Sequence, residues 1–401
     1  MKKSNPDRLT PATGVLLASL VLPGLAALTA IAPSHAVAET APEKTTLAIK
    51  YGSYSDSQPG MDRVSVKAPL IYIQAPMAGN WSVEGSWVGD SVSGATPMLH
   101  SNKTMGGLGG ASRMSDYRKA ADVKVTRYFA RSAVSASLAY SDEHDYTSRA
   151  LGLDARWSSE DNNRTWTLGY GASLDKIDSN YSGNSIATDQ HKHTREIMGG
   201  VTQVLTPTDI AQFNLTRSVG NGYFDDPYKF VDHRPGQRNN WIALVRWNHH
   251  VEKFDASVHS SYRYYTDTFG VKSHTLGLEW AQPKGQWTLT PGARYYTQSA
   301  ANFYVAAALD PSGQYDPTAS ALAVISALGA NGVASGDQRL SAFGAVTLSM
   351  KVSYALKPDT VVDLKYERYR QTSGLRLGGA GSVGIDPFNA TFMQVGLTHR
   401  F

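Results

Sequence analysis

The chain alternates between apolar and polar side chains over long stretches. From Trp287, one face carries Trp287, Leu289, Pro291, Ala293 and Tyr295, and the other Thr288, Thr290, Gly292, Arg294 and Tyr296. From Trp166, the set Trp166, Leu168, Tyr170, Ala172 and Leu174 faces away from Thr167, Gly169, Gly171, Ser173 and Asp175. From Leu340 the apolar set runs to Tyr354, again at every second residue. Side chains that change face at each residue belong to a strand, not a helix. The stretches are commonly about ten to fifteen residues long, whereas soluble strands average about 5–6. A strand tilted across a bilayer needs roughly 9–11. Trp81, Trp87, Trp157, Trp166, Trp241, Trp247, Trp280 and Trp287 fall near the ends of these stretches, where an interfacial girdle requires aromatic rings.

This pattern predicts an all-β, transmembrane, antiparallel up-and-down β-barrel of about sixteen strands between residues 45 and 401. The connections divide by parity. Even-numbered ones are short: 74–79, 130–131, 206–207, 251–253, 282–285 and 356–358. The long ones, near 91–116, 177–190, 220–236, 298–337 and 372–388, are all odd-numbered. Outer-membrane barrels put short turns in the periplasm and long loops outside, which fits an even strand count with both termini inside. A large soluble β-sandwich also alternates on its inward face; strand length and the N-terminal leader favour the barrel.

Residues 1–38 have the form of a cleaved signal peptide. Lys2, Lys3 and Arg8 begin it, an apolar run from Gly14 to Ala32 follows, and Ala36-Val37-Ala38 supplies the small-residue exit. The barrel domain is then 39–401, and the expected location is the bacterial outer membrane. Net charge is +4 for the whole chain and falls closer to neutral without the leader, so a nucleic-acid partner is not expected. Charged residues make up 18%, below the ~25% usual in soluble domains. The absence of cysteine removes disulfides, thiolate zinc sites and covalent c-type haem, and no cofactor is expected.

Several segments resemble a family of Gram-negative outer-membrane proteins classed as a domain of unknown function. They include Asp122 to Phe129, Gly200 to Pro207, Asp226 to Lys229, Trp287 to Tyr304, Arg339 to Gly344 and Val362 to Gln371. The resemblance covers essentially the whole mature chain, and Trp287 to Tyr304 is its most specific part. It implies an outer-membrane barrel and brings no substrate or catalytic residues with it.

Charges cannot face hydrocarbon cheaply, at about 2–4 kcal/mol for each Lys or Arg at the midplane. The expected lumen-lining set is therefore Lys67, Glu84, Asp122, Lys124, Asp154, Arg156, Asp175, Arg246, His259, Arg263, Glu279, Arg294, Lys351, Asp363, Lys365 and Glu367. Both signs are present. They suit a hydrated channel, or a ladder of ion pairs that stiffens the interior. About sixteen strands enclose more space than side chains alone fill. The 298–337 loop, Ala-rich from Thr318 to Leu328, is the candidate plug, with entry into the pore and capping from outside both open. Met393, Val395, Leu397 and the terminal Phe401 form the expected assembly signal, with His399 where an apolar residue is usual.

Other motifs are weaker. Gly106 to Gly110 lacks the Lys-Ser/Thr of a phosphate loop. His191 and His193 share a strand face without a third ligand in reach, and His249 and His250 face opposite sides. Asp225, Asp226 and Asp232 suit either a Ca²⁺ loop or a turn. Ser141, Asp142, Glu143, His144 and Asp145 crowd one outer turn and form the candidate site of a rim hydrolase. The expected function is a porin-like, non-enzymatic channel for passive passage of small solutes. The alternatives are a scaffold, sleeve or binding barrel for a partner protein and, after these, the rim hydrolase. Expected contacts are outer-membrane lipid and lipopolysaccharide, the barrel-assembly machinery, periplasmic chaperones and sister subunits.

Overall fold

The computed structural model describes residues 40–101, 111–181 and 184–401. The expected signal peptide and the Gly106 to Gly110 motif lie outside the described residues. The chain forms sixteen strands in one closed ring. They are β1 (Thr46–Gln58), β2 (Met61–Met77), β3 (Trp81–Pro97), β4 (Ala111–Tyr128), β5 (Ser132–Asp142), β6 (Tyr146–Ser158), β7 (Arg164–Tyr181) and β8 (Asn184–Thr206). The second half holds β9 (Asp209–Gly222), β10 (Gln237–Val251), β11 (Ala256–Asp267), β12 (Lys272–Lys284), β13 (Trp287–Gln298), β14 (Phe343–Lys357), β15 (Thr360–Thr372) and β16 (Phe388–Arg400). Neighbours pair antiparallel, and β1 joins β16 from Thr46↔Arg400 to Ser57↔Asn389. Closure leaves no unpaired edge, as a sheet in hydrocarbon requires.

Period two decides the facing of each strand. Along β14, Leu348 and Met350 are exposed on the outward face, while Thr347, Lys351 and Ser353 are buried inside. Along β1, Ile49 and Tyr51 point out and Lys50 points in. At one end the connections are tight: 78–80, 207–208, 285–286 and 358–359 among them. Gly79 and Gly285 turn there with φ of 74° and 62°, values that carry no steric cost without a Cβ. The opposite end carries the long connections 223–236, 299–342 and 373–387.

Two stretches expected as loops, 91–116 and 177–190, are largely strand among their described residues. β3 continues to Pro97 and β4 starts at Ala111, while β7 and β8 continue to Tyr181 and from Asn184. Above the apolar belt both faces of a strand meet water, so alternation fades. Backbone N–H and C=O groups still need partners, and the hairpin continues to supply them. Within 299–342, the Ala-rich segment forms helix α1 (Pro317–Asn331). Asp316 caps its start by accepting from the Ala319 N–H at 2.9 Å, Pro317 occupies the first turn, and Gly332 ends it at φ 71°.

Candidate functional site

The lumen wall is uneven. On β16 to β3 several inward side chains are apolar: Phe392 lies over Gly52 and, with Ala68, Leu70 and Val88, forms a buried cluster flanked by Tyr54 and Tyr72. On β5 to β7 the inward positions around mid-strand are mostly small, Ser135, Ser137, Ala139, Ala150, Gly152, Gly169, Gly171 and Ser173, with Asp154 and Arg156 projecting among them toward the short-turn end. Small side chains there leave the open space of the interior on that side. Alternation reveals which face turns in, but the apolar patch on β16 to β3 breaks the rule that inward means polar, and alternation alone does not reveal it.

The expected lumen residues Glu84, Asp122, Lys124, Asp154, Arg156, Asp175, Arg246, His259, Arg263, Glu279, Arg294, Lys351, Asp363, Lys365 and Glu367 occupy inward register positions. Lys67 does not. It is exposed on the outward face of β2, in line with Pro69, Ile71 and Ile73. It sits one outward step beyond the apolar run of its own strand, so its charge escapes hydrocarbon by height rather than by facing.

Some inward charges pair across strands. Lys124 reaches Glu84 at 3.1 Å, and Lys192 reaches Asp175 at 3.4 Å. Tyr72 donates to Glu84 at 3.2 Å and Ser148 to Asp175 at 2.6 Å. Lys365 pairs along its own strand with Glu367 at 2.9 Å. Arg294 donates to Thr347 Oγ1 at 3.2 Å, and His259 Nδ1 lies 2.9 Å from Asn248 Oδ1. Asp122, Glu279 and Arg294 are nevertheless solvent-exposed although they face inward. Asp363 is almost fully buried and neither carboxylate oxygen accepts a hydrogen bond from the protein. Lys50 stands beside it across Gly396, and Lys351 lies opposite Lys365 in the register of β14 and β15.

At the long-loop end, the connections interlock. The Asp337 carboxylate is fully buried and receives Arg339 Nε at 2.7 Å and Arg234 Nη2 at 3.0 Å. Burial alone would raise this carboxyl; Arg339, Lys229 and Arg234 together hold it below its ordinary range. Lys229 donates to the Pro97 carbonyl at the end of β3, and Phe230 N–H donates to Met98 O at 2.8 Å. β9 and β3 stand six places apart in a ring of sixteen, so the 223–236 loop crosses the mouth. From the 299–342 loop, Gln338 accepts from Gln58 at 2.9 Å, and the antiparallel pair His233 and Ala334 exchange bonds of 2.9 Å. Leu99, Ala321, Val324 and Ala334 make a small buried core between these loops.

His100 is wholly buried in this cap, with Nε2 donating to the Val305 carbonyl and rings of Tyr304 and Tyr315 at 5.8 and 6.2 Å. Burial pushes its imidazole below the ordinary value. Sequence gave no signal for it, since a lone histidine in a loop carries no pattern.

The candidate hydrolase turn is arranged otherwise than a nucleophile and base require. Ser141 is buried and its Oγ has no hydrogen-bond partner, so no bond joins it to His144. Asp116, Glu143 and Asp145 gather within 4.8 Å of one another, Tyr228 donates to Asp145, and the His144 N–H donates to Asp116 at 3.3 Å. Burial pushes the Glu143 carboxyl up to about 7 against the pull of Arg118. Asp225, Asp226 and Asp232 are taken by His233, Arg339 and Arg234. His191 and His193 are exposed on the outward face of β8, and Lys192 between them faces in. His249 faces out to Asp209 at 2.8 Å. Met393, Val395, Leu397 and Phe401 are all exposed, the first three along the outward face of β16.

No curated protein matches the chain. Its fold is similar to CdiB from Acinetobacter baumannii, with a TM-score of 0.49 and 8% identity over 87% of this chain and 60% of that one. It is also similar to a bacterial polysaccharide outer membrane secretin, with a TM-score of 0.48 and 9% identity over 91% of this chain and 99% of the other. A third similar structure is OccK1 (OpdK) from Pseudomonas aeruginosa, with a TM-score of 0.42 and 9% identity over 89% and 98%. The chain thus spans 60% of the length of CdiB. Residues 12–392 match the family described as protein of unknown function (DUF3570), and the chain belongs to that family.

Proposed function

We propose that the protein resides in the bacterial outer membrane and passes small hydrophilic solutes by diffusion through its lumen, without covalent chemistry. The observation that carries this is the exposure of Asp122, Glu279 and Arg294 inside a closed ring: their charged groups meet solvent within the barrel. Water beside both signs of charge favours polar solutes over apolar ones, and mixed signs favour weak rather than strict selection. The small-residue wall of β5 to β7 supplies the passage, and the interlocked loops restrict its long-loop mouth.

Planar-bilayer conductance of the refolded mature chain tests this. Defined current steps are expected, and a variant lacking 306–335 is expected to give larger steps and a higher solute cutoff in vesicle swelling. Silence from both proteins overturns the channel and favours a capped barrel that presents its loops to a partner.

A further inference from the structure

The outward face is asymmetric. At the short-turn end, exposed Trp81, Trp157, Trp247 and Trp287 stand near the strand ends. At the other end, six strands follow the same rule: the first outward residue beyond the apolar run is a cation. On β2, Lys67 follows Ile73, Ile71 and Pro69; on β4, Lys119 follows Val125, Val123 and Ala121. On β6, Arg149 follows Leu153 and Leu151; on β8, Arg195 follows Val201, Gly199 and Ile197. On β9, Arg217 follows Phe213 and Leu215; on β15, Arg368 follows Leu364 and Tyr366. Each cation succeeds the apolar run of its own strand and so marks the upper part of the apolar belt there, with Val219 one outward step beyond Arg217 on β9.

Arg149, Arg195 and Arg217 make the densest part of this ring. Arg149 aligns with Leu174 and His193, and Arg195 is one outward step nearer the belt on β8. Arg217 is one step lower again on β9, opposite Ile197 and Trp241. Sheet spacing puts neighbouring members roughly 8 to 12 Å apart. Among the described residues no carboxylate forms a salt bridge with any of the three; Arg217 lies over the Trp241 ring at 5.1 Å. Asp142 stands opposite Lys119 in the register, so the ring is less positive there. A row of unneutralised arginines at a hydrocarbon boundary calls for an anionic headgroup, and guanidinium suits phosphate by its paired donors.

The wall above the ring identifies the kind of headgroup. Outward positions continue as His193 and His191 on β8, Ser53 and Ser55 on β1, Ser65 on β2, and Ser91 and Ser93 on β3. The sheet therefore runs on through a thick polar layer, one that hydroxyl-rich sugars fill better than a thin phospholipid headgroup. We infer that Arg149, Arg195 and Arg217 form a binding surface for the phosphates of a saccharide-headed membrane lipid, with lipopolysaccharide as the occupant. This rests on the outer-membrane location proposed above, but not on conduction.

The test uses the full mature chain in detergent, titrated with lipopolysaccharide, with dephosphorylated lipopolysaccharide and with phosphatidylglycerol. Thermal unfolding and lipid retention in native mass spectrometry are the readouts. Lipopolysaccharide is expected to raise the unfolding temperature, and removal of its phosphates to abolish the rise. The triple variant R149Q/R195Q/R217Q is expected to bind roughly tenfold or more weakly, while Arg164→Gln at the short-turn end binds as wild type. Heat-modifiable gel migration reports that each variant is folded. Equal binding by the triple variant, or an equal shift with phosphatidylglycerol, overturns the inference. A barrel that conducts but ignores lipopolysaccharide defeats this inference alone; one that binds it and never conducts defeats the channel alone.

Discussion

Arg234 and Asp337, 103 residues apart in sequence, meet at 3.0 Å and fasten the 223–236 loop to the 299–342 loop. The carboxylate is completely buried and Arg339 reaches it from a largely exposed position, so the Arg234–Asp337 pair is a clasp around a buried acid rather than a surface contact. Removing one partner of such a cluster strands the others. Asp337→Ala is expected to destabilise the cap by about 3–5 kcal/mol while leaving the strands closed. Hydrogen exchange will show faster exchange across both loops and unchanged protection in β1 to β16. Equal protection of the loops in variant and parent refutes the clasp.

Acid is expected to loosen the same cap. His100 is neutral in the folded cap because burial depresses its pKa; nearby Asp337 opposes that shift and Lys229 reinforces it. A depressed folded value means that the released segment binds the proton more readily. The contribution of His100 is therefore complete above the ordinary value near 6.5 and declines as pH falls below it toward the folded value. Limited proteolysis of loops 223–236 and 299–342 is expected to accelerate below about pH 6, and His100→Phe to flatten that dependence.

Facing can be tested by one pair of neighbours. Met350 is exposed on the outward face and Ser349 faces the lumen. Met350→Arg is expected to cost about 2–4 kcal/mol in denaturant titrations in lipid vesicles, and Ser349→Arg much less. Equal costs would mean that the apolar face does not meet lipid.

Asp363 is the acidic member of a buried inward group with Lys50 and Lys351. Asp363→Asn removes the negative charge and leaves the lysines. Reversal potentials in a salt gradient are expected to move toward anion preference, with stability lowered by roughly 1–3 kcal/mol. An unchanged reversal potential would place this group outside the ion path.

Strand count, closure and facing were legible because period two is a local property that every segment repeats. Helix α1 covers the Ala-rich run from Thr318 to Leu328, and its caps Asp316 and Gly332 stand just outside that run. Lys67 was misplaced because composition says that a charge avoids lipid, whereas only position along the strand says how. The ends of β3 and β7 leave no strand pattern in the sequence because alternation stops where both faces are wet. The cap was not legible: Asp337, Arg234, Lys229 and His100 come from three connections, and no local pattern records which loops cross the mouth. The apolar wall of Leu70, Val88 and Phe392 was hidden for a related reason, since it assembles only when β16 reaches β1.

That seam between Thr46 and Arg400 has a further effect. The first strand in the chain pairs with the last, so the cylinder cannot seal by stages. A chain stopped short of Phe388 would present two bare hydrogen-bonding margins instead of none, and each would recruit strands from other molecules. The thirteen residues of β16 therefore decide the closure of the whole ring as much as they build one-sixteenth of its wall.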